Sequence, residues 1–297
     1  MLLAITGAAG FVGRAVVRQL AEQHPEVELL LADREVAGFG GYETLAGDLT
    51  DPAVITALTA PRIDAVLHLA ALPGGAAERD SAASRAINLD VPLALIQAMR
   101  GRRLVIAGSI AVFGGALPAL VDDATVPMPA SVYGTHKRMV ELAFTDAVRR
   151  GVASGIALRL PGIVARPAAA GGFGSAFLSD VFHTALAGTP LCVPVAADAT
   201  SWLMSVRCCA ANLVAAALSE RTAQEAVTLP ALRVTIADLV AELARHGDVS
   251  GIRFEEIPAT RATFGSYPDL ATARADALGF RHDGSLTQLV ETVLADL

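Results

Sequence analysis

The sequence predicts an α/β protein with a doubly wound parallel sheet and a smaller second α/β domain. In the first half, short and almost fully apolar segments alternate with segments that have helical periodicity. Strands that are apolar on both faces are typical of parallel sheets covered by helices on both sides. After Leu160 this alternation ends at a segment rich in Pro, Gly and Ala. We therefore predict one domain over residues 1–160, with residues 203–228 packing back onto it, and a second over residues 161–202 and 229–297.

Each element follows from a local pattern. Apolar segments that end at glycine, aspartate or another turn residue indicate strands, and longer amphipathic segments indicate helices. The predicted strands are Leu2–Thr6, Val27–Ala32, Thr44–Ala46, Ala65–Ala70, Leu104–Ala107, Ala153–Leu160 and Arg253–Ile257. The predicted helices are Phe11–Gln23, Pro52–Leu58, Ser81–Met99 with a kink at Pro92, Ser131–Arg150, Ala176–Ala187, Val206–Leu218, Thr235–Arg245 and Leu286–Ala295, while Pro161–Gly174 is predicted to be a loop.

Charge and composition disfavour several function classes. The 297 residues are 53% hydrophobic, which allows a large core, and the formal net charge is -7. Because there is no long basic cluster, nucleic acids and anionic membrane surfaces are not expected partners. The six histidines show no metal-binding spacing, so no metal site is predicted.

The number of cysteines and the hydropathy pattern indicate the cellular compartment of the protein. The three cysteines, two of them adjacent, form no disulfide framework and fit a reducing environment. The apolar N-terminus lacks the pattern of a signal peptide, and no apolar segment is long enough to span a membrane. We expect a cytoplasmic protein.

The segment TGAAGFVG, residues 6–13, lies between a predicted strand and a predicted helix. Its glycines Gly7, Gly10 and Gly13 permit a tight turn and a close approach to a pyrophosphate, which the N–H groups of a helix N-terminus bind. Asp33 ends the second predicted strand, about 20 residues after Gly13. An acid at this position binds the adenosine ribose in dinucleotide-binding folds. That acid favours NAD over NADP, although Arg34 leaves NADP open. The alternative is a glycine-rich turn without a ligand.

The segment SVYGTHK places Tyr133 and Lys137 four residues apart at the start of a predicted helix, on one face. An ammonium group beside a phenol favours the phenolate and lowers the pKa of the tyrosine, which can then accept a proton from an alcohol. Ser109 ends the fifth predicted strand, at the sheet edge where ligands bind in such folds. The alternatives are a surface pair and a strand-end cap.

Together these motifs resemble the extended short-chain dehydrogenase/reductase family, which includes NAD-dependent epimerases and dehydratases. TGAAGFVG resembles the glycine motif of that family, YGTHK its YxxxK pair, and VIAGSIAVFGG its fifth-strand motif. The resemblance implies a Rossmann fold, NAD as cofactor and the catalytic residues Ser109, Tyr133 and Lys137, with the tyrosine as general base. It implies that the cofactor contacts are Gly7, Gly10, Phe11, Val12, Gly13, Asp33, Arg34, Asp48, Leu49, Leu69, Ala70, Ala71, Asn88, Tyr133, Lys137, Pro161 and Ile163.

Within that family, LRLPGIVARP and DLATARADALGF resemble the D-erythronate dehydrogenase branch. The resemblance implies NAD-dependent oxidation of the 2-hydroxyl of a small sugar acid to a 2-oxo acid. Three places depart from that branch and are expected to face the substrate: Gly162, the loop Ala168–Gly174 and the loop Leu72–Asp80. The expected substrate contacts are Gly74, Ser109, Tyr133, Gly162, Arg166 and Trp202, with Arg207 as the alternative partner of a substrate carboxylate. The competing interpretation of each arginine is a salt bridge. The competing interpretation of the tryptophan is apolar packing.

Two other functions stay open at this point. A sugar or nucleotide-sugar epimerase or reductase of the same superfamily is the first, and an epimerase would retain its NAD without net reduction. A cofactor-sensing binding protein is the second, but such proteins usually lack part of the Ser-Tyr-Lys set. The resemblance also implies a homodimer formed by the two long helices, Ser81–Met99 and Ser131–Arg150.

Overall fold

The computed structural model describes residues 1–167 and 174–297, and these divide into two compact units. Unit 1 comprises residues 1–112, 129–160 and 210–227, and unit 2 comprises residues 113–128, 161–209 and 228–297. The predicted boundaries differ at two places. Residues 113–128 belong to unit 2 because Leu120–Val121 pairs with Asp269–Leu270. Residues 203–205 do so because they end a strand, Thr200–Ser205, that pairs with Gly162–Val164, and residues 206–209 follow that strand directly.

Unit 1 is built on a seven-stranded sheet in which six strands run parallel. Strands and helices are numbered along the chain. The strands of this sheet are β1 (Leu2–Thr6), β2 (Glu28–Asp33), β3 (Glu43–Ala46), β4 (Ala65–His68), β5 (Arg103–Ser109), β7 (Ser154–Leu160) and β11 (Val227–Thr228). Their order is β11-β7-β5-β4-β1-β2-β3, and the pairs among β1–β5 and β7 are parallel. The predicted doubly wound parallel sheet is therefore confirmed.

The order of these strands locates a ligand-binding edge. The chain moves outward from β1 to β2 and β3, and then returns to β4 on the other side of β1. Ligands bind beyond the carboxyl ends of strands at such a switch point. In the register, Thr6 at the end of β1 lies between Ala32 of β2 and His68 of β4. The residues that follow these three strand ends are therefore neighbours.

The helices of unit 1 cover this sheet. They are α1 (Phe11–Gln23), α2 (Pro52–Leu58), α3 (Gly74–Arg79), α4 (Ser81–Arg85), α5 (Val91–Ala98), α6 (Val132–Arg149) and, from residue 210 onward, α8 (Val206–Leu218). Apolar side chains from strands and helices form one core, in which Leu58, Leu95 and Phe144 are almost fully buried. Burying a side chain of this size stabilises the fold by about 1.5–3 kcal/mol.

The predicted long helix over residues 81–99 is divided. A π-helical turn, Ala86–Asp90, separates α4 from α5. Pro92 follows this turn, and because proline has no N–H group it cannot donate to the carbonyl four residues earlier. Local widening of the helix is a common response to such an interruption. Helix α3 was not predicted, and it lies within the loop Leu72–Asp80 that was expected to face the substrate.

Unit 2 has a mixed sheet and two short strand pairs. Its strands are β6 (Leu120–Val121), β8 (Gly162–Val164), β9 (Leu191–Val193), β10 (Thr200–Ser205), β12 (Leu232–Thr235), β13 (Ile252–Phe254) and β14 (Asp269–Leu270). Strand β10 pairs in parallel with β8 and antiparallel with β12, whereas β13–β9 and β14–β6 are separate parallel pairs. The predicted loop Pro161–Gly174 therefore begins with a strand. Residues 168–173 of that loop lie outside the described residues.

The helices of unit 2 enclose a second apolar core. They are α7 (Phe177–Ala187), α9 (Ile236–Leu243), α10 (Pro258–Phe264), α11 (Ala273–Leu278) and α12 (Leu286–Asp296). Phe182, Leu203, Leu239 and Leu289 are fully buried in this core. Among the described residues, no helix combines the length and the apolar character that crossing a membrane would require.

Candidate active site

The glycine turn between β1 and α1 has no room for side chains at two positions. Gly7 has φ +70°, and a Cβ atom there would lie 2.7 Å from the backbone nitrogen of Ala70. A Cβ atom at Gly13 would lie 2.2 Å from the carbonyl oxygen of Gly7. Gly10 precedes α1 and provides no side-chain cap for it. The N–H groups in the first turn of α1 therefore form a helix N-terminus that can bind a phosphate group.

The carboxylate of Asp33 is held in place at the end of β2. One oxygen accepts a hydrogen bond of 2.9 Å from the N–H of Ala9 in the glycine turn, and the other accepts one of 2.7 Å from the N–H of Arg34. Asp48, after β3, accepts hydrogen bonds from the N–H and the hydroxyl of Thr50, which hold the pKa of its carboxyl below the usual range. Both carboxylates are thus positioned by the backbone before any ligand binds.

These residues surround a cavity of about 990 Å³ in unit 1. Its size is at the upper end of the range for small-molecule and cofactor sites. The predicted cofactor residues that line it are Gly7, Gly10, Asp33, Arg34, Asp48, Leu49, Leu69, Ala70 and Ala71. The glycine cradle, the uncapped helix start and the fixed carboxylate together fit a dinucleotide. Phe11, Val12 and Gly13 belong to α1, and Gly13 shapes the turn by its close packing.

Two further residues predicted to bind the cofactor, Pro161 and Ile163, belong to unit 2. Ile163 is buried in β8, where it pairs with Met204 of β10. Their roles as cofactor contacts stay predictions.

Ser109 and Tyr133 are brought together by the close approach of two backbones. Ser109 ends β5, and its hydroxyl oxygen accepts a hydrogen bond of 3.1 Å from the N–H of Ala111. Gly134, the residue after Tyr133, packs on that same segment, because a Cβ atom there would lie only 2.1 Å from the carbonyl oxygen of Ala111. The start of α6 therefore lies directly against the chain that follows Ser109.

Lys137 lies one turn further along α6 and is almost completely buried. Its ammonium nitrogen donates a hydrogen bond of 2.8 Å to the carbonyl oxygen of Ala107, two residues before Ser109. The same nitrogen lies 5.6 Å from the centre of the Tyr133 ring. Burial lowers the pKa of Lys137 to about 8, although the nearby carboxylate of Glu141 opposes this effect. The three predicted catalytic residues thus share one place in unit 1.

The buried carboxylate of Glu141 has two partners. Arg159 of β7 binds both of its oxygens, at 2.9 and 3.0 Å, and Arg138 lies 3.0 Å from one of them. A buried charge is tolerated when it is paired in this way. The ionised Glu141 therefore provides a fixed negative charge one turn from Lys137.

Asn88 is not among the residues that line the cavity, and its role as a cofactor contact stays a prediction. Its side chain is fully buried in the π-helical turn. The amide accepts a hydrogen bond from the N–H of Leu72 and donates one to the carbonyl oxygen of Leu72, both 2.9 Å long. Leu72 lines the cavity. Asn88 therefore shapes the cavity through the backbone that follows β4.

Sequence reasoning missed a buried polar pair beneath the glycine turn. The hydroxyl of Thr6 lies 2.8 Å from Nδ1 of His68, and the N–H of Ala70 donates to the same hydroxyl. This hydroxyl therefore links the imidazole of His68 to the backbone of Ala70. Burial, together with the charge of Lys137, lowers the pKa of His68 to about 3, so the imidazole is neutral. Only the register of β1 and β4 brings the two residues together.

Sequence reasoning also missed Glu78 of α3. One of its carboxylate oxygens accepts hydrogen bonds from the backbone N–H groups of Val132, at 2.7 Å, and Tyr133, at 3.4 Å. Gly74, four residues earlier, lies against Tyr133, because a Cβ atom there would be 3.9 Å from its Cβ. The acid was not predictable because a local pattern does not show which helix start a remote side chain reaches.

The predicted substrate residues of unit 2 have different surroundings. Trp202 is fully buried, donates a hydrogen bond of 2.7 Å to the carbonyl oxygen of Pro268, and packs against the rings of Phe113 and Tyr267. Its expected role as a pocket wall is therefore corrected to one in the core of unit 2. A side chain at Gly162 would begin 3.0 Å from the carbonyl oxygen of Trp202, so packing against β10 explains the glycine.

The two candidate arginines also differ. Arg207 pairs with Asp296 at 2.5 Å on the surface of unit 2, which supports the salt-bridge interpretation for this residue. Both the N–H and the carbonyl oxygen of Arg166 have partners in unit 2. The N–H donates to the Ser179 hydroxyl at 3.0 Å, and the carbonyl oxygen lies 2.7 Å from Nε2 of His183.

Comparisons with known proteins agree with this geometry. Two similar proteins are the D-erythronate dehydrogenases of Cupriavidus necator, 33% identical over 100% of this chain and 98% of that protein, and of Haemophilus influenzae, 29% identical over 98% of each. Among solved structures, the nucleoside-diphosphate-sugar epimerase of Agrobacterium tumefaciens is similar at 30% identity with a TM-score of 0.88, covering 100% of this chain and 94% of that one. Residues 3–224 match the description "NAD dependent epimerase/dehydratase family". With the glycine cradle and the Ser-Tyr-Lys set in unit 1, the chain therefore belongs to the NAD-dependent epimerase/dehydratase family.

Proposed function

We propose that the protein is an NAD-dependent dehydrogenase that oxidises the 2-hydroxyl of a small sugar acid, such as D-erythronate, to the 2-oxo acid. The observation that carries this proposal is the convergence of Ser109, Tyr133 and Lys137 on the backbone segment from Ala107 to Ala111. Similarity over nearly the full length to two D-erythronate dehydrogenases supports the substrate class.

Each catalytic residue has a role that follows from its contacts. Because the oxygen of Ser109 accepts from the N–H of Ala111, its own proton can be donated to the substrate oxygen. Tyr133 takes the proton of the substrate hydroxyl as the general base. Lys137 stabilises the phenolate by its charge, and its bond to Ala107 keeps the ammonium group in place.

The cofactor would be held by the cavity in unit 1. The first turn of α1 would bind the pyrophosphate, and Asp33 would accept hydrogen bonds from the adenosine ribose. When bound, NAD accepts the hydride that leaves the substrate carbon. A carboxylate at Asp33 repels a ribose phosphate, which favours NAD over NADP.

A substrate carboxylate requires a cation, for which arginine is well suited because its guanidinium group binds both oxygens. We assign this role to Arg166, because its backbone is anchored to Ser179 and His183. Arg207, which pairs with Asp296 at 2.5 Å, stays the alternative candidate. Gly74, which lies against Tyr133, and Gly162 complete the proposed substrate contacts.

Formation of reduced nicotinamide is the direct test. The purified protein would be incubated with NAD and with sugar acids of four to six carbons, including D-erythronate. Turnover with D-erythronate supports the proposal in full, whereas turnover only with another acid keeps the reaction and changes the substrate. Absence of reduced cofactor throughout the panel, with NAD retained by the purified protein, would instead support an epimerase, the activity named for the similar solved structure.

We further propose a homodimer formed by α4, α5 and α6. Helix α6 has two apolar side chains, Met139 and Leu142, that are about half exposed in the single chain. Large apolar side chains on one helix face are typical of association surfaces. Light scattering on Leu142→Glu would show a monomer if this surface is the interface, whereas a dimer of unchanged stability would contradict it.

The proposed location is the cytoplasm. All three cysteines, Cys192, Cys208 and Cys209, are free thiols, as expected in a reducing compartment. Fractionation of the native cells would test this assignment.

A further inference from the structure

The backbone N–H groups in the first turn of α6 donate hydrogen bonds to two separate acceptors. The hydroxyl of Ser131, directly before the helix, accepts from the N–H of Gly134 at 3.0 Å. The carboxylate of Glu78, 54 residues earlier in the chain, accepts from the N–H groups of Val132 and Tyr133. Ser131 and Glu78 thus accept from different N–H groups of this turn. Glu78 therefore completes the cap of the helix that contains the proposed general base.

Helix α3, which contains Glu78, is itself anchored at both ends. Before its start, the N–H and the carbonyl oxygen of Leu72 both form hydrogen bonds with the side-chain amide of Asn88. After its end, the side chain of Asp80 accepts from the N–H of Ala83 and caps α4. A helix of six residues has little stability by itself, so these anchors determine where it lies.

The face of α3 that meets α6 contains Gly74 and Glu78. The two positions are four residues apart and therefore lie on one side of the helix. Gly74 approaches the Cβ and Cγ atoms of Tyr133, and Glu78 binds its backbone nitrogen. Tyr133 is thus contacted by α3 at both its main chain and the base of its side chain.

We propose that Glu78 is a positioning residue for Tyr133, holding the start of α6 so that the phenol meets the substrate hydroxyl, an inference that rests on the proposed function above. Glu78 has no role in the cofactor cavity and is exposed to solvent. Its substitution should therefore leave the fold and the binding of NAD intact. An error of about 1 Å in the place of a catalytic group can lower the rate by up to about 10²-fold.

The test compares Glu78→Ala, which removes the acceptor, with Glu78→Gln, which keeps an acceptor oxygen without the charge. Glu22→Ala, at an exposed acid on α1, is the matched control. We expect Glu78→Ala to lower kcat about tenfold, within the range for a displaced catalytic group, with the Kd for NAD unchanged and only a small fall in the thermal midpoint from the lost cap. We expect Glu78→Gln to recover most of that loss and Glu22→Ala to behave as the wild type.

Hydrogen exchange at the amides of Val132 and Tyr133 provides a readout without turnover. Exchange at these two amides should become faster in Glu78→Ala and remain slow in Glu78→Gln. The proposal would be overturned if kcat were unchanged in Glu78→Ala, or if Glu78→Gln were as slow as Glu78→Ala. It would also be overturned if the fall in kcat were accompanied by an equal loss of affinity for NAD. If the wild type is inactive on every sugar acid, the proposed function fails, and unchanged exchange at these amides would then separately overturn the role of Glu78.

Discussion

The ammonium nitrogen of Lys137 lies 2.8 Å from the carbonyl oxygen of Ala107, so helix α6 is bonded to strand β5 two residues before the proposed catalytic serine. This hydrogen bond joins the helix of the proposed general base, Tyr133, to the strand of the proposed substrate-binding hydroxyl, Ser109. It also removes a charged group from water. The burial of Lys137 therefore has a cost in stability that depends on pH.

The pH dependence of that cost has a definite sign. Burial lowers the pKa of Lys137 from 10.5 to about 8, so the unfolded chain binds more protons than the folded one between these values. Stability contributed by this residue should therefore rise with pH through this window, by at most about 1.4 kcal/mol per pH unit. Denaturant unfolding at pH 7 to 10 of the wild type and of Lys137→Met should show this slope only in the wild type. Parallel pH dependences of the two proteins would refute the assignment.

Replacing the general base should remove most of the activity. Tyr133→Phe keeps the ring and loses the hydroxyl, so we expect kcat to fall by about 10²–10⁴-fold, the usual contribution of general acid–base catalysis. The affinity for NAD, measured by calorimetry, should stay within twofold of the wild type. Tyr42→Phe, at a tyrosine after β2, is the control and should be fully active. Full turnover by Tyr133→Phe would exclude the tyrosine as the base.

Adding one methyl group at Gly134 tests the close approach of α6 to the chain that follows Ser109. In Gly134→Ala the new Cβ atom would lie 2.1 Å from the carbonyl oxygen of Ala111, and backbone cannot move aside cheaply. We expect a loss of about 1–3 kcal/mol in unfolding free energy, as for other overpacked sites, together with reduced kcat. Gly40→Ala has no atom within 4 Å of the added group and should retain both stability and rate.

The carboxylate of Asp33 should determine cofactor preference. Asp33→Asn keeps the shape and removes the charge that repels a ribose phosphate, so the ratio of kcat/KM for NAD over NADP should fall by about tenfold, the effect of about 1.4 kcal/mol. Glu35→Gln removes a charge that lines the same cavity and serves as the control. An equal change in both variants would mean that overall charge, and not the position of Asp33, controls the preference.

The two arginines of unit 2 can be separated kinetically. Arg166→Ala should raise KM for a sugar acid by about 10- to 100-fold, since a bidentate charged hydrogen bond contributes about 1.5–3 kcal/mol. Arg207→Ala breaks a pair in which the arginine is mostly exposed and should change KM little. The opposite result, with KM raised only in Arg207→Ala, would transfer the carboxylate partner to Arg207.

Much of the nucleotide-binding half was predictable because its signals are local. The bounds of Leu2–Thr6, Phe11–Gln23 and Pro52–Leu58 were predicted correctly, since each segment begins or ends at glycine, aspartate or proline. The glycine motif and the acid at the end of β2 indicated the family and its NAD cofactor, and the family match confirms both. Such motifs are readable because turn geometry restricts which residues can stand there.

The second unit was harder to predict. Strand β10 is absent from the predicted elements because it lies within a longer apolar segment that continues into α8, although the predicted bounds of α8 itself, Val206–Leu218, agree with the structure. Trp202 was assigned to a pocket wall as one interpretation, yet it is a core residue, because its partners Phe113 and Tyr267 lie far away in the chain. The division of the helix over residues 81–99 by a π-helical turn also escaped prediction.

By itself, the sequence determined the fold class and the glycine cradle and indicated Ser109, Tyr133 and Lys137 as candidate catalytic residues, because strand and helix periodicity and turn chemistry act over a few neighbouring residues. Only the tertiary structure decided that Lys137 is buried against Ala107, that Asn88 clamps Leu72, and that Glu78 caps the helix of Tyr133. These contacts join residues that are 16 to 54 positions apart. They depend on strand order and helix packing, which a local pattern does not specify.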